Sequence, residues 1–350
     1  MLFFDAPVEN DALTAFVRQV PFDSNLGLTN LFGRRDVETN TVDFAEITRT
    51  NRMARYRSFD GRIHVSARDT GSEKRVPMIP LSTSLNMGEY ERLQLQFAAL
   101  QGGNTARLAR AVYNDAEQLT REVQNRIEMA WGDTLSDGIL TISEGGITGT
   151  AGITDYGVPA NQKTTVGTAW TTVATAPALS DIQTVIDVRV DTNGNSRPGY
   201  MLTSNAQIRN LRRNKQIIDA VYGSTSGRTQ VSLNELRTLL ADEFNGLTLL
   251  NSYDSSFDVD GVTTRTIPND KVMFLPADLE NFGYTAWGVS ATALELVNSN
   301  RSELSFEQAA GIVGVVIKEG PPFREFVFTD AVAIPVIADA RGLSVLDVIP

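Results

Sequence analysis

The one histidine of this 350-residue chain, His64, stands in a stretch crowded with cations: Arg49, Arg52, Arg55, Arg57, Arg62, Arg68, Lys74 and Arg75. There is no cysteine. Nucleophilic triads need an imidazole or a thiolate, and zinc sites draw most of their ligands from the same two residue types. Any mechanism of either kind would have to run through His64, whose setting reads as the surface of a strand. No Gly-Lys-Ser or Gly-Lys-Thr phosphate loop, Gly-x-Ser-x-Gly elbow, Gly-x-Gly-x-x-Gly turn or His-Glu-x-x-His pair occurs. Asp258-Val259-Asp260-Gly261 has the outline of a calcium loop, but its last position is Ile267 where a bidentate Glu is required. Carboxylate-pair hydrolysis stays open only because any acidic chain contains candidates. No catalytic residue, metal site or cofactor is expected.

What remains is electrostatics. The chain carries 31 Lys and Arg against 42 Asp and Glu, a net charge of −11, so the basic stretch at 49–75 is a local reversal. A protein that grips nucleic acid by neutralising phosphates normally has a basic excess overall. Solubility alone would also favour the acidic balance. Hydrophobic residues at 42% and charged residues at 21% fit a globular chain, and the length implies two or three domains. No run approaches the roughly 20 apolar residues that span a bilayer. Met1-Leu2-Phe3-Phe4, followed by Asp5, Pro7 and Glu9, does not read as a signal peptide, and no membrane partner is expected.

The elements that must position the cations follow from hydrophobic period. Residues 1–42 show only a short helix over Asn10–Val20 and otherwise mix single hydrophobes with turn residues. They read as an arm that must drape over its own domain or a neighbouring chain. Alternation in Thr41–Ile47, Arg62–Val65 and Arg75–Leu81, around turns at Asp60-Gly61 and Asp69-Thr70-Gly71, predicts a long β-hairpin. Pro77 and Pro80 suit an edge, and a charged two-stranded ribbon needs a surface to lie on. A short helix at Glu89–Leu100 precedes a long amphipathic one at 105–137. In the longer helix Leu108, Val112, Ala116, Leu119, Val123, Ile127, Trp131 and Leu135 recur at spacings of three and four, with Glu128 on the polar side. Thr105 is placed to cap it and Gly138 to stop it. Residues 145–178 read as strands and an exposed loop. Helices at Leu179–Arg189, Asn205–Asp219 and Ser232–Glu243 alternate with strands at Gly199–Thr203, Gly246–Asn251, Lys271–Pro276 and Thr285–Val289, an α+β pattern. Strands at Ile312–Lys318, Phe323–Asp330, Ala331–Ile337 and Ser344–Ile349 close the chain.

This order is similar to the Hong Kong 97-type capsid fold and most closely resembles the lambda-like family E major capsid proteins of tailed bacteriophages. The resemblance is carried by Arg75-Val76-Pro77-Met78-Ile79-Pro80-Leu81, the helix at 111–137, Gly199-Tyr200-Met201-Leu202-Thr203 with the helix after it, and Asp330-Ala331-Val332-Ala333-Ile334-Pro335-Val336-Ile337. It implies an α+β fold with an N-terminal arm at 1–42 and an extended loop at 43–84. A peripheral domain at 85–178 would contain the spine helix 105–137, an axial domain would occupy 179–311, and a β segment at 312–350 would complete both. It also implies a non-enzymatic shell subunit of the virion, assembled in the host cytoplasm as hexamers and pentamers. Such a shell encloses double-stranded DNA without sequence-specific binding, and an acidic wall would let that DNA slide. The partners implied are the subunit itself, a portal, a decoration or cement protein, and a separate scaffolding protein, since no long charged segment precedes the arm. Arg49, Arg52, Arg55, Arg57, Arg62, His64, Arg68, Lys74 and Arg75 are then the expected contacts to acidic surface on adjacent subunits, with arm and hairpin both lying on neighbours. Lys74 suggests no cross-link, because no acceptor asparagine or catalytic acid can be matched. Two alternatives remain: an encapsulin-like compartment shell of the same fold, and a soluble hydrolase using Asp and Glu.

Overall fold

The computed structural model describes residues 8–47, 56, 59, 71–90, 93–94, 97, 106–144, 147, 152–193, 196–251, 253–298, 309–319 and 324–350. The chain divides into two compact units. Met1–Val42, Val76–Trp131 and Tyr284–Val336 make the first; Asp43–Arg75, Gly132–Gly283 and Ile337–Pro350 make the second.

In the first unit the chain runs through α1 (Asn10–Gln19), α2 (Gly27–Leu31) and β1 (Gly33–Asp36). The ribbon strands β2 (Thr41–Ile47) and β3 (Gly71–Pro77) pair with each other and, among the described residues, with no further strand. They are followed by β4 (Pro80–Met87) and the 32-residue helix α3 (Ala106–Asp137). After β5 (Ile139–Thr141), β6 (Ile153–Asp155) and β7 (Lys163–Thr165), the second unit holds α4 (Ala178–Asn193), β8 (Tyr200–Thr203), α5 (Asn205–Arg213), α6 (Lys215–Tyr222) and α7 (Leu233–Glu243). Then come β9 (Thr248–Leu249), β10 (Ser256–Val259), β11 (Val262–Arg265), β12 (Lys271–Leu275), β13 (Gly283–Gly288), α8 (Ala291–Asn298), β14 (Val313–Glu319), β15 (Arg324–Ile337) and β16 (Ser344–Asp347).

The first unit is built on a sheet in the order β1-β13-β15-β14, with β4 also on β15. β15 is one 14-residue strand where two were expected; its first half alternates in burial and its second half is buried throughout. Continuous burial is what a strand shows when both of its faces are covered. Because β13 lies beside β15, the segment from Tyr284 belongs here, whereas the sequence pattern had grouped it with 179–311. The outer strand β1 is exposed along its length, and Arg34, Arg35 and Asp36 blunt that edge with charge.

The leading segment lies against this unit, one of the two placements that the sequence left open; the capsid resemblance implied a neighbouring copy. Leu13 and Val17, one helical turn apart, are fully buried against β14. Gly314 permits that approach, since a Cβ there would come within 3.0 Å of Val17 Cγ1 and 3.2 Å of Leu13 Cγ. Thr14 Oγ1 donates to Gly314 O at 3.1 Å, Arg18 Nε to Ile312 O at 3.0 Å, and Val316 N to Asn10 Oδ1 at 3.3 Å. Further along, Glu128 of α3 accepts from Leu28 N and Thr29 N, both at 2.7 Å, and from Thr29 Oγ1. Those amides open α2, where a helix has no internal acceptors for them. Phe32 stacks on Trp131 at 4.0 Å, and Trp131 Nε1 donates to Thr285 Oγ1 at 2.9 Å. Glu128, assigned from sequence to the polar side, is fully buried.

The second unit holds a sheet in the order β7-β16-β12-β8-β9, with β12 antiparallel to both its neighbours. Its core gathers Ile182 and Ile186 of α4, Leu211 of α5, Ile217 of α6 and Leu236 of α7 around Phe274. Arg189 is buried among these elements, donating to Gly342 O at 2.7 Å, Phe274 O at 3.4 Å and Ser196 O at 3.3 Å. Burial lowers its pKa to about 10, opposed by Asp339, so it stays charged. The helix expected over Asn205–Asp219 is two helices. Asn214 adopts an extended backbone; its Oδ1 accepts from Ile217 N at 3.3 Å and its Nδ2 donates to Ala176 O at 2.8 Å. Hydrophobic period runs on across this break, so only the cap reveals it. α3 stops at Gly138, with φ of 77°. Asp258–Gly261, which has the outline of a calcium loop in sequence, is the turn that joins β10 to β11, with positive φ at Asp260 and Gly261.

Two outcomes follow. Glu128→Ala leaves the amides of Leu28 and Thr29 buried without an acceptor and is expected to cost about 3 kcal/mol or more, read as a lowered urea midpoint. Glu235 sits in a capping box with Ser232 and also accepts from Tyr222 Oη at 2.6 Å. The Tyr222 hydrogen bond, then those from Ser232, hold its pKa down to about 2. A depressed carboxyl pKa contributes stability that is present above the ordinary carboxylate range and is lost as pH falls toward about 2. Glu235→Gln should flatten the pH dependence of the urea midpoint across that window, and carboxyl NMR should place the Glu235 titration near its lower end.

Candidate assembly surface

Of the cations singled out from sequence, Arg49, Arg52, Arg55, Arg57, Arg62 and Arg68, together with His64, lie outside the described residues. Lys74 lies in β3. Arg75 starts from an intrachain pair: its Nε and Nη2 donate to the two carboxylate oxygens of Asp43 at 2.7 and 2.9 Å, bridging β3 to β2. This fork geometry is the strong form of the Arg–carboxylate contact. The Arg75 hydrogen bond holds the Asp43 carboxyl below its usual range. Both side chains are exposed, so the pair stands where solvent or another protein can reach it.

Exposed apolar side chains mark the surface more sharply than charge does. Glu89, Tyr90, Leu93, Gln94 and Phe97 are helical, and Tyr90 (76%), Leu93 (42%) and Phe97 (54%) are open to solvent. Positions i, i+3 and i+7 share one helix face, so these three form a stripe. Within the basic stretch, Tyr56 and Phe59 are fully exposed. Aromatic side chains of this kind are enriched at the cores of protein interfaces. Each such side chain removed from water is worth about 1.5–3 kcal/mol. The sequence reading missed the stripe, because an amphipathic helix is expected to turn its apolar face to its own core. The mixed composition of the segment, with Tyr90 and Phe97 beside Glu89 and Glu91, was the available signal.

A strand edge adds a third kind of contact. β4 pairs with β15 from Pro80↔Val332 to Met87↔Glu325, and among the described residues no strand covers its other side. Ser82, Ser84 and Asn86 are exposed along it. Ser82 Oγ donates to Asp330 at 3.1 Å and Thr83 Oγ1 to Glu122 of α3 at 2.8 Å, fixing the strand while its backbone edge stays open. Such an edge can take a further strand by main-chain hydrogen bonding. Among the described residues no cluster of His, Asp and Glu could hold a metal ion, and no helix is long and apolar enough to cross a membrane. Adhesion is the chemistry these exposed groups offer: aromatic side chains on each unit, the Arg75–Asp43 fork on one, and on the other a strand edge left open among the described residues.

No curated protein matches the sequence. Among solved structures, one assigned as the capsid protein of an Escherichia coli CFT073 prophage superposes with a TM-score of 0.62 at 16% identity, covering 97% of this chain and 99% of that one. The capsid of a native GTA particle gives 0.51 at 12% identity over 94% and 92% of the two chains. The capsid of Myoviridae phage XM1 gives 0.50 at 12% identity over 93% and 92%. At these identities the likeness establishes the fold, an α+β Hong Kong 97-type capsid fold. The family model for phage major capsid protein E matches residues 10–298, from the first turn of α1 to the end of α8, and this chain belongs to that family.

Proposed function

We propose that this chain is the main shell subunit of a tailed-phage head, self-assembling as hexamers and pentamers in the host cytoplasm around packaged double-stranded DNA. The observation that carries this is the capsid-family match over residues 10–298. That match is to a phage family, which favours a genome container over an enzyme compartment. The physical support is the inventory of exposed contacts. Single contacts of this size are weak, but a closed shell repeats each one around every subunit, and multivalency makes the sum strong.

In this reading Arg49, Arg52, Arg55, Arg57, Arg62, Arg68, Lys74 and Arg75, with His64 among them, meet acidic surface on the adjacent copy, such as the exposed Glu122 side of α3. Arg75 already holds Asp43 in a bidentate pair, so in this reading it reaches a neighbour by sharing or exchanging that carboxylate. A portal, a separate scaffolding protein and a decoration protein are the other partners proposed.

Two experiments test the reading. Arg55→Gln, Arg57→Gln and Arg62→Gln combined should leave a folded subunit that forms capsomers but few closed particles, seen by negative-stain imaging and sedimentation. Unchanged closure would remove the hairpin from the interface. Tyr90→Ser with Phe97→Ser should raise the protein concentration needed for particle formation by roughly tenfold or more, since each 1.4 kcal/mol lost from association is a factor of ten. A chain that stays monomeric under all conditions of concentration and salt would overturn the shell function itself.

A further inference from the structure

The acidity of the chain is reversed a second time, in the second unit. Residues 205–230 contain five cations, Arg209, Arg212, Arg213, Lys215 and Arg228, and one carboxylate, Asp219. Arg209 and Arg213 are exposed one turn apart on α5, and Lys215 begins α6 directly after the Asn214 break. Arg212 Nε donates to Val231 O at 2.9 Å, which ties the chain just after residues 223–230 back to α5. Residues 223–230 are exposed without exception, and there Ser224, Thr225, Ser226, Thr229 and Gln230 flank Arg228 with hydroxyl and amide donors. The Arg228 guanidinium lies 4.8 Å from the centre of the Tyr222 ring.

Helix electrostatics accounts for only part of this cluster. Arg212 and Arg213 in the last turn of α5 complement the negative end of that helix. Lys215 is placed the opposite way, at the positive end of α6, and Arg209 is a turn removed from either end. Lys215 is paired with Asp219 at 2.7 Å. Arg209 and Arg213 have no carboxylate partner among the described residues.

The composition of the face decides which partner it suits. Protein interfaces carry aromatic and aliphatic side chains at their centres, and no large hydrophobic side chain is exposed between residues 205 and 230. Phosphate contacts come from Arg, Lys, Ser, Thr, Asn, Gln and backbone amides, which is the inventory here. We propose that this face binds the phosphodiester backbone of duplex DNA without reading its sequence, giving the duplex a local point of attachment on a chain whose net charge is negative. That the duplex is the packaged genome rests on the shell reading; the phosphate chemistry does not.

The test uses the full chain and a short fluorescent DNA duplex, titrated by anisotropy at several salt concentrations. The pair Arg209→Gln and Arg213→Gln should weaken binding on the order of tenfold at low salt, and should lower the slope of log affinity against log salt by about 2. Arg110→Gln with Arg324→Gln, exposed cations elsewhere, removes the same charge and should leave both readings near wild type. A duplex of unrelated sequence should bind equally. Arg228→Gln supplies an independent loss from the loop should the helix pair misfold. The proposal is overturned if the helix-pair variant binds as wild type, or if both charge-matched pairs lose affinity alike. It is also overturned if the helix-pair variant keeps DNA binding and stops forming particles, which would make the face a contact between copies. Wild-type protein that binds DNA through this face and never assembles would instead sink the shell reading and leave this one standing.

Discussion

A carboxylate without solvent must be surrounded by donors, and Glu128 finds its donors a hundred residues earlier in the chain, at the start of α2. That requirement fixes the course of the leading segment more firmly than apolar packing alone would. With Leu28 and Thr29 held on α3, Phe32 is delivered to Trp131, β1 is delivered to β13, and the chain before them is left to seat Leu13 and Val17 on β14. Apolar contacts tolerate sliding by a residue or so, whereas two amides and a hydroxyl on one carboxylate do not. The stretch from residue 10 to β1 is therefore packed within the first unit. Its sticky surfaces, the Tyr90–Leu93–Phe97 stripe and the open side of β4, are what intrachain folding leaves over.

How much of this was legible in sequence depends on the range of the forces involved. α3 was readable because its apolar period is local and sustained, and Gly138 stops it through a backbone angle only glycine takes readily. The order of arm, ribbon, long helix, α+β unit and terminal strands was readable for the same reason, and that order carried the family resemblance. Glu128 was misplaced because the donors that justify its burial are remote. Asn214 was read through because its effect lies in capping, which does not interrupt the hydrophobic period. Which of the arm's two possible partners it takes was not legible for a related reason: its hydrophobes follow no sustained period, and the slot they enter depends on Gly314, some 300 residues away in β14.

The candidate surface was legible in part. Charge in the 49–75 stretch is plain from composition, yet the one described pair within it, Arg75 with Asp43, shows that a conspicuous cation is already engaged along the ribbon. The aromatic side chains were less conspicuous and carry more of the argument. Their exposure is a tertiary property, since the same Tyr-x-x-Leu-x-x-x-Phe spacing would pack inward if a second element covered it.

The two basic segments also separate by what accompanies the charge. The sequence of the first includes Tyr56 and Phe59, both exposed, so covering that segment with protein would bring an apolar gain. The face at 205–230 has no such anchor, and burying its cations against protein would forfeit hydration without apolar gain. A polyanion avoids that cost, because its contacts stay wet and draw strength from released counterions. An acidic chain with one cationic face of this kind can hold DNA locally while repelling it elsewhere. A uniformly basic wall would bind every phosphate it met and stall the movement of a duplex along it; a uniformly acidic one would give the duplex no hold at all.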